Sequence, residues 1–86
     1  ITYEPVWSIG TGVVPNNKEL KKNINYIKKI LENLTKSKKI KILYGGSVKA
    51  ENVKKLTELT EIDGFLVGGA SLNANKFIDI IKKSIN

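Results

Sequence analysis

A glutamate at the end of a short apolar segment is the first residue of this sequence that could do chemistry. Glu4 precedes Pro5, and a residue before proline is held in an extended conformation, so its side chain should project from the end of a strand. We expect the neighbouring Tyr3, Val6 and Trp7 to shield the carboxylate partly from water. Partial desolvation raises the proton affinity of a carboxylate, which makes Glu4 a candidate general base. The alternative is an exposed glutamate, or an ion-pair partner for a lysine.

Two glycine-rich stretches could bind an anion. They are Gly45-Gly46-Ser47 and Gly68-Gly69-Ala70-Ser71. Glycine lets backbone N–H groups come close to a phosphate, a hydroxyl adds a donor, and a following helix N-terminus favours negative charge. The alternative is that these glycines only permit tight turns.

The segment 5–12 has the composition of a mobile lid. It begins with a stiff proline, continues with the apolar Val6, Trp7 and Ile9, and ends with glycines. A loop of this kind can close over a ligand as one body and exclude water. The alternative is a loop in which Trp7 packs against the rim of the fold.

The composition excludes several kinds of site. The 86 residues include no cysteine and no histidine, so neither a thiolate nucleophile nor an ordinary zinc site can be built from them. A general base must therefore be Glu, Asp, Lys or Tyr, and no metal is expected. No apolar run approaches the roughly 18 residues of a membrane span, and no signal peptide opens the chain. These features predict a cytoplasmic protein with no membrane partner.

The apolar pattern predicts three strands and three helices in alternation. The strands are predicted at 2–4, 40–43 and 64–67. The helices are predicted at 18–36, 50–59 and 75–85. This β-α-β-α-β-α order is typical of a parallel sheet with helices outside it, in a single domain over residues 1–86. Ligands of such folds bind at the carboxyl ends of the strands, so all three loops described above should meet there.

Further details of these elements can be tested against a structure. The first helix should bury a stripe at Leu20, Ile24, Ile27, Leu31 and Leu34, and Asn16 with Glu19 is typical of a capping box. The third helix should carry an apolar face at Phe77, Ile78, Ile81 and Ile85. The second strand should end before Tyr44, and the third should be buried on both faces.

The start of the chain predicts that it is a fragment. It begins at Ile1 in the middle of a strand pattern, it has no methionine, and three parallel strands leave open edges. We therefore expect an amino-terminal part to be missing.

Three motifs together resemble the carboxyl-terminal third of triosephosphate isomerases. They are Y-E-P-V-W-S-I-G-T-G (3–12), I-L-Y-G-G-S-V (42–48) and D-G-F-L-V-G-G-A-S-L (63–72). The resemblance implies the last three βα units, strands 6 to 8, of a (β/α)8 TIM barrel. It also implies a homodimer without a cofactor, which interconverts dihydroxyacetone phosphate and D-glyceraldehyde 3-phosphate through an enediolate in glycolysis and gluconeogenesis.

The resemblance also implies roles for individual residues. Glu4 would be the catalytic base, and Tyr44 and Ser47 would hold the closed lid. The phosphate would be bound by Gly10, Ser47, Gly68 and Gly69. The lid would comprise Pro5, Val6, Trp7, Ser8, Ile9, Gly10, Thr11 and Gly12.

Two positions depart from the family pattern. Ser8 stands where alanine is common, a change that we expect to be tolerated. Pro15 stands, in a gap-free alignment, where family members offer a backbone N–H to the tyrosine matching Tyr44, and proline has none.

The resemblance also implies that this chain alone is inactive. The family needs a lysine and an asparagine near the first strand and a histidine at the fourth, and the matching segments lie outside the 86 residues.

Two other functions fit parts of the sequence. One is another phosphate-binding barrel, such as an enzyme of histidine or tryptophan biosynthesis. The other is a module that binds nucleic acid through its lysines, since the net charge is +7. That footprint would comprise Lys28, Lys29, Lys36, Lys38, Lys39 and Lys41. The absence of arginine and of interleaved aromatic residues argues against specific nucleic-acid binding.

Overall fold

Three short parallel strands alternate with three helices in the computed structural model, which describes residues 1–5, 8 and 16–85. The elements in chain order are β1 (Thr2–Tyr3), α1 (Asn17–Thr35), β2 (Leu43–Tyr44), α2 (Ala50–Thr57), β3 (Gly64–Phe65), a 3-10 helix (Gly69–Leu72) and α3 (Ala74–Ile85). The mixed α/β class is as predicted. The lid prediction for Val6, Trp7, Ile9, Gly10, Thr11 and Gly12 falls outside the described residues, as does Pro15.

The strands form one parallel sheet in the order β1-β2-β3. Tyr44 is the central residue, because it pairs with Tyr3 on one side and with Phe65 on the other. Backbone bonds continue past the strands: Gly45 N–H donates to the Tyr3 carbonyl at 2.9 Å, and Leu66 N–H donates to the Tyr44 carbonyl at 2.9 Å. The carboxyl ends of all three strands therefore lie at one edge of the sheet.

Two strand predictions were wrong in detail. Tyr44 belongs to β2 and not to the loop, because its carbonyl is bonded within the sheet and its side chain is fully buried. The third strand is not buried on both faces, since Leu66 is 49% exposed. Leu66 follows β3 and lines a groove that the described part of the chain leaves open.

Helix α1 confirms the predicted start. The Asn16 side chain accepts a hydrogen bond from Glu19 N–H at 2.8 Å, the first half of the predicted capping box. Leu20 and Ile24 are buried, but Leu34 is 75% exposed. Ile27 and Leu31 are only partly buried, so the predicted stripe loses contact with the core along the second half of the 19-residue helix.

The core lies between the sheet and the helices, and α2 and α3 pack against each other. Its buried apolar residues are Leu20, Ile24, Ile42, Tyr44, Val48, Val53, Leu56, Leu59 and Ile80. Helix α2 ends at Thr57, two residues earlier than predicted, and its predicted apolar residues Val53 and Leu56 are both in the core.

The predicted apolar face of α3 is not buried. Ile80 is the α3 residue that enters the core. Phe77 and Ile81 instead line a groove with Leu66 and Val67 of the β3 segment. The four residues predicted for this face are all partly exposed: Phe77, Ile78, Ile81 and Ile85. The helix thus presents one face to the core and leaves a second apolar face uncovered by the described residues.

Asp63 ties the start of β3 to the central strand. Its carboxylate accepts a hydrogen bond from Ile42 N–H at 2.9 Å, and its own N–H donates to the Ile42 carbonyl at 2.8 Å. Lys28 of α1 lies 3.9 Å from the same carboxylate oxygen. The Asp63 carboxylate thereby links the residue before β3 to the residue before β2 and to α1.

We predict that Asp63→Ala lowers the free energy of unfolding by about 1–2 kcal/mol, because it leaves the amide of the buried Ile42 without its side-chain acceptor. Chemical denaturation of the full-length protein that carries this segment measures the change. The matched control is Asp79→Ala, which removes an exposed pair with Lys83 worth about 0.3–0.5 kcal/mol. Equal effects of the two substitutions would contradict the role given to Asp63.

Candidate active site

A cavity of about 660 Å³ lies at the carboxyl ends of the strands. All three described loops reach it: Glu4 after β1, the Gly45–Ser47 loop after β2, and Gly68 with Gly69 after β3. The structure therefore brings the predicted base and the predicted phosphate-binding residues of the last two loops to one place. Gly10, predicted to bind phosphate from the lid, lies outside the described residues.

Glu4 lies across the backbone of Gly45. An ideal Cβ on Gly45 would stand 2.8 Å from Glu4 Cγ and 2.8 Å from Thr2 Cγ2. No side chain fits there, so a glycine at position 45 is what allows the Glu4 side chain to cross toward the cavity. Gly45 was predicted from the sequence to help bind an anion, and its steric role was not predicted.

The predicted shielding of Glu4 is not present in the described residues. Glu4 is exposed, and Tyr3 beside it is only half-buried. Val6 and Trp7, which were also predicted to shield the carboxylate, lie outside the described residues.

Beneath the Gly45–Ser47 loop, Tyr44 and Ser8 meet in a fully buried polar contact. The Ser8 hydroxyl lies 3.0 Å from the Tyr44 hydroxyl, and Ser47 N–H donates to Ser8 Oγ at 3.1 Å. Both Tyr44 and Ser8 have no exposed surface. Ser8 was predicted only to be a tolerated change from the alanine common in the family. Its contact with Tyr44 spans 36 residues of chain, so local sequence patterns do not reveal it.

Burial raises the pKa of the Tyr44 hydroxyl above its ordinary value of 10.0. The hydrogen bonds from Ser8 and from the Ser47 backbone act in the opposite direction, but burial is the largest cause. Tyr44 is therefore a neutral hydroxyl at physiological pH, able to donate or accept a hydrogen bond.

Asn52 orders the backbone that leads from this loop into α2. Its side-chain oxygen accepts from Lys49 N–H at 2.8 Å, and its side-chain nitrogen donates to the Ser47 carbonyl at 3.1 Å. No role in the site was predicted for Asn52 from the sequence. The available signal was its position three residues after Lys49, where a polar side chain can satisfy the start of a helix.

The loop after β3 has a different character. A Cβ on either Gly68 or Gly69 would meet nothing within 4 Å, so packing among the described residues does not demand glycine here. Ser71 closes the turn, since its hydroxyl donates to the Gly68 carbonyl at 2.6 Å. Two glycines that face open space leave their backbone accessible to a ligand.

The charges that line the cavity are mixed. Lys49 and Lys76 contribute positive charge, while Glu51 and Asp79 join Glu4 as carboxylates. Lysines alone therefore do not make the cavity a strong anion site, and an anion would depend on backbone N–H groups of the glycine loops. The described residues include no cluster of three His, Cys, Asp or Glu side chains suited to a metal ion.

None of the helices in the described part of the chain combines the length and the apolar character needed to cross a membrane.

Comparison with known proteins agrees with the geometry. The sequence model of the triosephosphate isomerase family matches residues 1–84. A triosephosphate isomerase of Dictyostelium discoideum is 50% identical over 88 residues, which cover 99% of this chain and 34% of that protein. One of Francisella philomiragia is 48% identical over 88 residues, which cover 98% and 34%. One of Francisella tularensis subsp. holarctica is 46% identical over 86 residues, with the same coverage.

The sheet, the helices and the cavity at the strand ends define a mixed α/β protein with parallel strands. Within that class, the chain belongs to the triosephosphate isomerase family. It spans about a third of the length of the curated relatives that it matches.

We predict that Gly46→Ala destabilises the full-length protein by about 1–3 kcal/mol, the usual effect of overpacking. An ideal Cβ at this position would collide with the Tyr44 hydroxyl and lie 2.7 Å from Ser8 Oγ. Gly68→Ala is the matched control, because its Cβ enters open space. Thermal or chemical unfolding compares the two. An unchanged stability in Gly46→Ala would mean that the contact around Tyr44 is loose.

Proposed function

We propose that this chain is the carboxyl-terminal part of a triosephosphate isomerase, and that the whole protein interconverts dihydroxyacetone phosphate and D-glyceraldehyde 3-phosphate. One observation carries the proposal: Glu4, Ser47 and the Gly68-Gly69 pair border one cavity at the carboxyl ends of parallel strands. Family membership supports the same reading. The charged residues that line the described part of the cavity are of both signs, which does not favour a nucleic acid.

The chain then supplies strands 6 to 8 of a (β/α)8 barrel, as one part of a single domain. Two features support this. Strands β1 and β3 end the described sheet, and the groove between β3 and α3 is lined by apolar residues such as Phe77 and Ile81. In a closed barrel, further βα units pair with both strand edges and cover that groove.

In the proposed reaction Glu4 moves one proton. Its carboxylate takes the proton from the carbon next to the substrate carbonyl, which leaves an enediolate, and then returns a proton to the former carbonyl carbon. A second proton passes from the hydroxyl oxygen to the former carbonyl oxygen, so that a hydroxyl and a carbonyl exchange places. The reaction therefore consumes no oxidant, reductant or cofactor. The position of Glu4 above Gly45 fits this role, because the side chain reaches the cavity directly from the end of β1.

The glycine loops hold the phosphate in this proposal. The backbone of Gly68 and Gly69 is open, and Ser47 borders the same cavity, three residues before α2. Gly10 would add an N–H from a lid made of residues 5–12. The lid would exclude water, which protects the enediolate from side reactions.

Other parts of the protein complete the site in this proposal. A lysine and a histidine that polarise the carbonyl would come from outside the 86 residues. The homodimer contacts and the cytoplasmic location also stay predictions.

We predict that a purified polypeptide of residues 1–86 has no measurable isomerase activity, because it holds neither that lysine nor that histidine. A coupled assay of triose phosphate turnover tests this, with the full-length protein as positive control. Turnover by a sample free of contaminating isomerase would contradict it.

We predict that Glu4→Gln in the full-length protein lowers kcat about 100- to 10,000-fold, the usual contribution of a general base. Glutamine keeps the size of the side chain but cannot accept the proton. The assay follows conversion of glyceraldehyde 3-phosphate. Glu58→Gln, an exposed residue at the end of α2, is the matched control and should keep full activity. A fully active Glu4→Gln protein would remove Glu4 from the mechanism.

A further inference from the structure

Ser8 occupies a buried position that links two loops of the site. It lies four residues after Glu4, and its N–H donates to the Pro5 carbonyl at 2.8 Å. Pro5 is itself buried. Because Pro5 directly follows Glu4, this hydrogen bond connects the position of Ser8 to the position of Glu4.

The Ser8 hydroxyl has two partners from the neighbouring strand and loop. It lies 3.0 Å from the Tyr44 hydroxyl, and it accepts a hydrogen bond from Ser47 N–H at 3.1 Å. A serine hydroxyl offers one donor and two acceptor positions, so it can make both contacts at once. An alanine at position 8 could make neither.

The space around this contact is closed. A Cβ added to Gly46 would collide with the Tyr44 hydroxyl and come within 2.7 Å of Ser8 Oγ. The Tyr44 hydroxyl, the Ser8 hydroxyl and the backbone of Gly46 are therefore in close contact.

We propose that Ser8 is a positioning residue, whose hydroxyl fixes the segment that carries Glu4 relative to the loop that carries Ser47. This inference rests on the proposed function. Glu4 would act on the carbon skeleton and Ser47 would face the phosphate, so the distance between these two residues decides whether the substrate is aligned with its base. The Ser8 hydroxyl sets the distance between Glu4 and Ser47 through its hydrogen bonds within the protein, without touching the substrate. Alignment of this kind affects the chemical step more than binding.

The test uses Ser8→Ala, Tyr44→Phe and the double variant in the full-length protein. We expect Ser8→Ala to lower kcat about ten-fold, because misalignment of Glu4 with the substrate raises the barrier of the chemical step, and to leave KM within about two-fold. Because both side chains belong to one contact, the double variant should lose little more activity than either single variant. Ser37→Ala, in the segment after α1, is the matched control and should leave kcat unchanged.

A second readout does not depend on activity. The Ser47 amide donates to Ser8 Oγ, so its hydrogen exchange should become faster in Ser8→Ala and stay unchanged in Ser37→Ala. If the unaltered protein proves to have no isomerase activity, the proposed function fails, and this exchange measurement still tests the contact.

Three results would overturn the inference. The first is a Ser8→Ala protein with the kcat of the unaltered enzyme. The second is a loss of thermal stability with an unchanged kcat, which would make the hydroxyl structural only. The third is a double variant whose losses multiply, which would mean that Ser8 and Tyr44 act independently. Should Ser8→Ala fail to fold, Tyr44→Phe carries the test through the same kcat and Ser47 exchange measurements.

Discussion

Close packing around Tyr44 is the constraint on which the rest of the structure depends. This residue is in the central strand, pairs with both neighbouring strands, and is fully buried. Its hydroxyl lies 3.0 Å from the Ser8 hydroxyl, and Gly46 must lack a side chain for the ring to fit. A single tyrosine therefore links all three strands to the loop that borders the cavity.

The glycines of the candidate site perform two different physical tasks. Those after the central strand make room for side chains: Gly45 for Glu4, and Gly46 for Tyr44 and Ser8. Gly68 and Gly69, after the third strand, do not make room for any side chain of the described residues, because an added Cβ at either position would meet nothing within 4 Å. Their open backbone is therefore the part of the cavity wall best suited to a ligand, whereas the first pair positions the groups that would act on it.

The apolar residues of α3 lie on two faces of the helix. Ile80 is the residue of α3 that enters the core, while Phe77 and Ile81 line a groove beside the outer strand. An apolar helix that packs on only one of two apolar faces is typical of an element with neighbours on both sides. The chain spans about a third of the length of its curated relatives, and a larger fold would give that second face its partners.

Local sequence signals predicted the order of strands and helices, the cap of α1 at Asn16, and the loops that reach the cavity. These depend on local signals: periodicity, capping and glycines that follow strands. Tertiary structure decided which face of α3 is buried, that Tyr44 belongs to the sheet, that Glu4 is exposed, and that Ser8 reaches both Tyr44 and Ser47. The physical reason is that burial and hydrogen bonding of these side chains depend on residues distant in the chain, about which local sequence patterns carry no information.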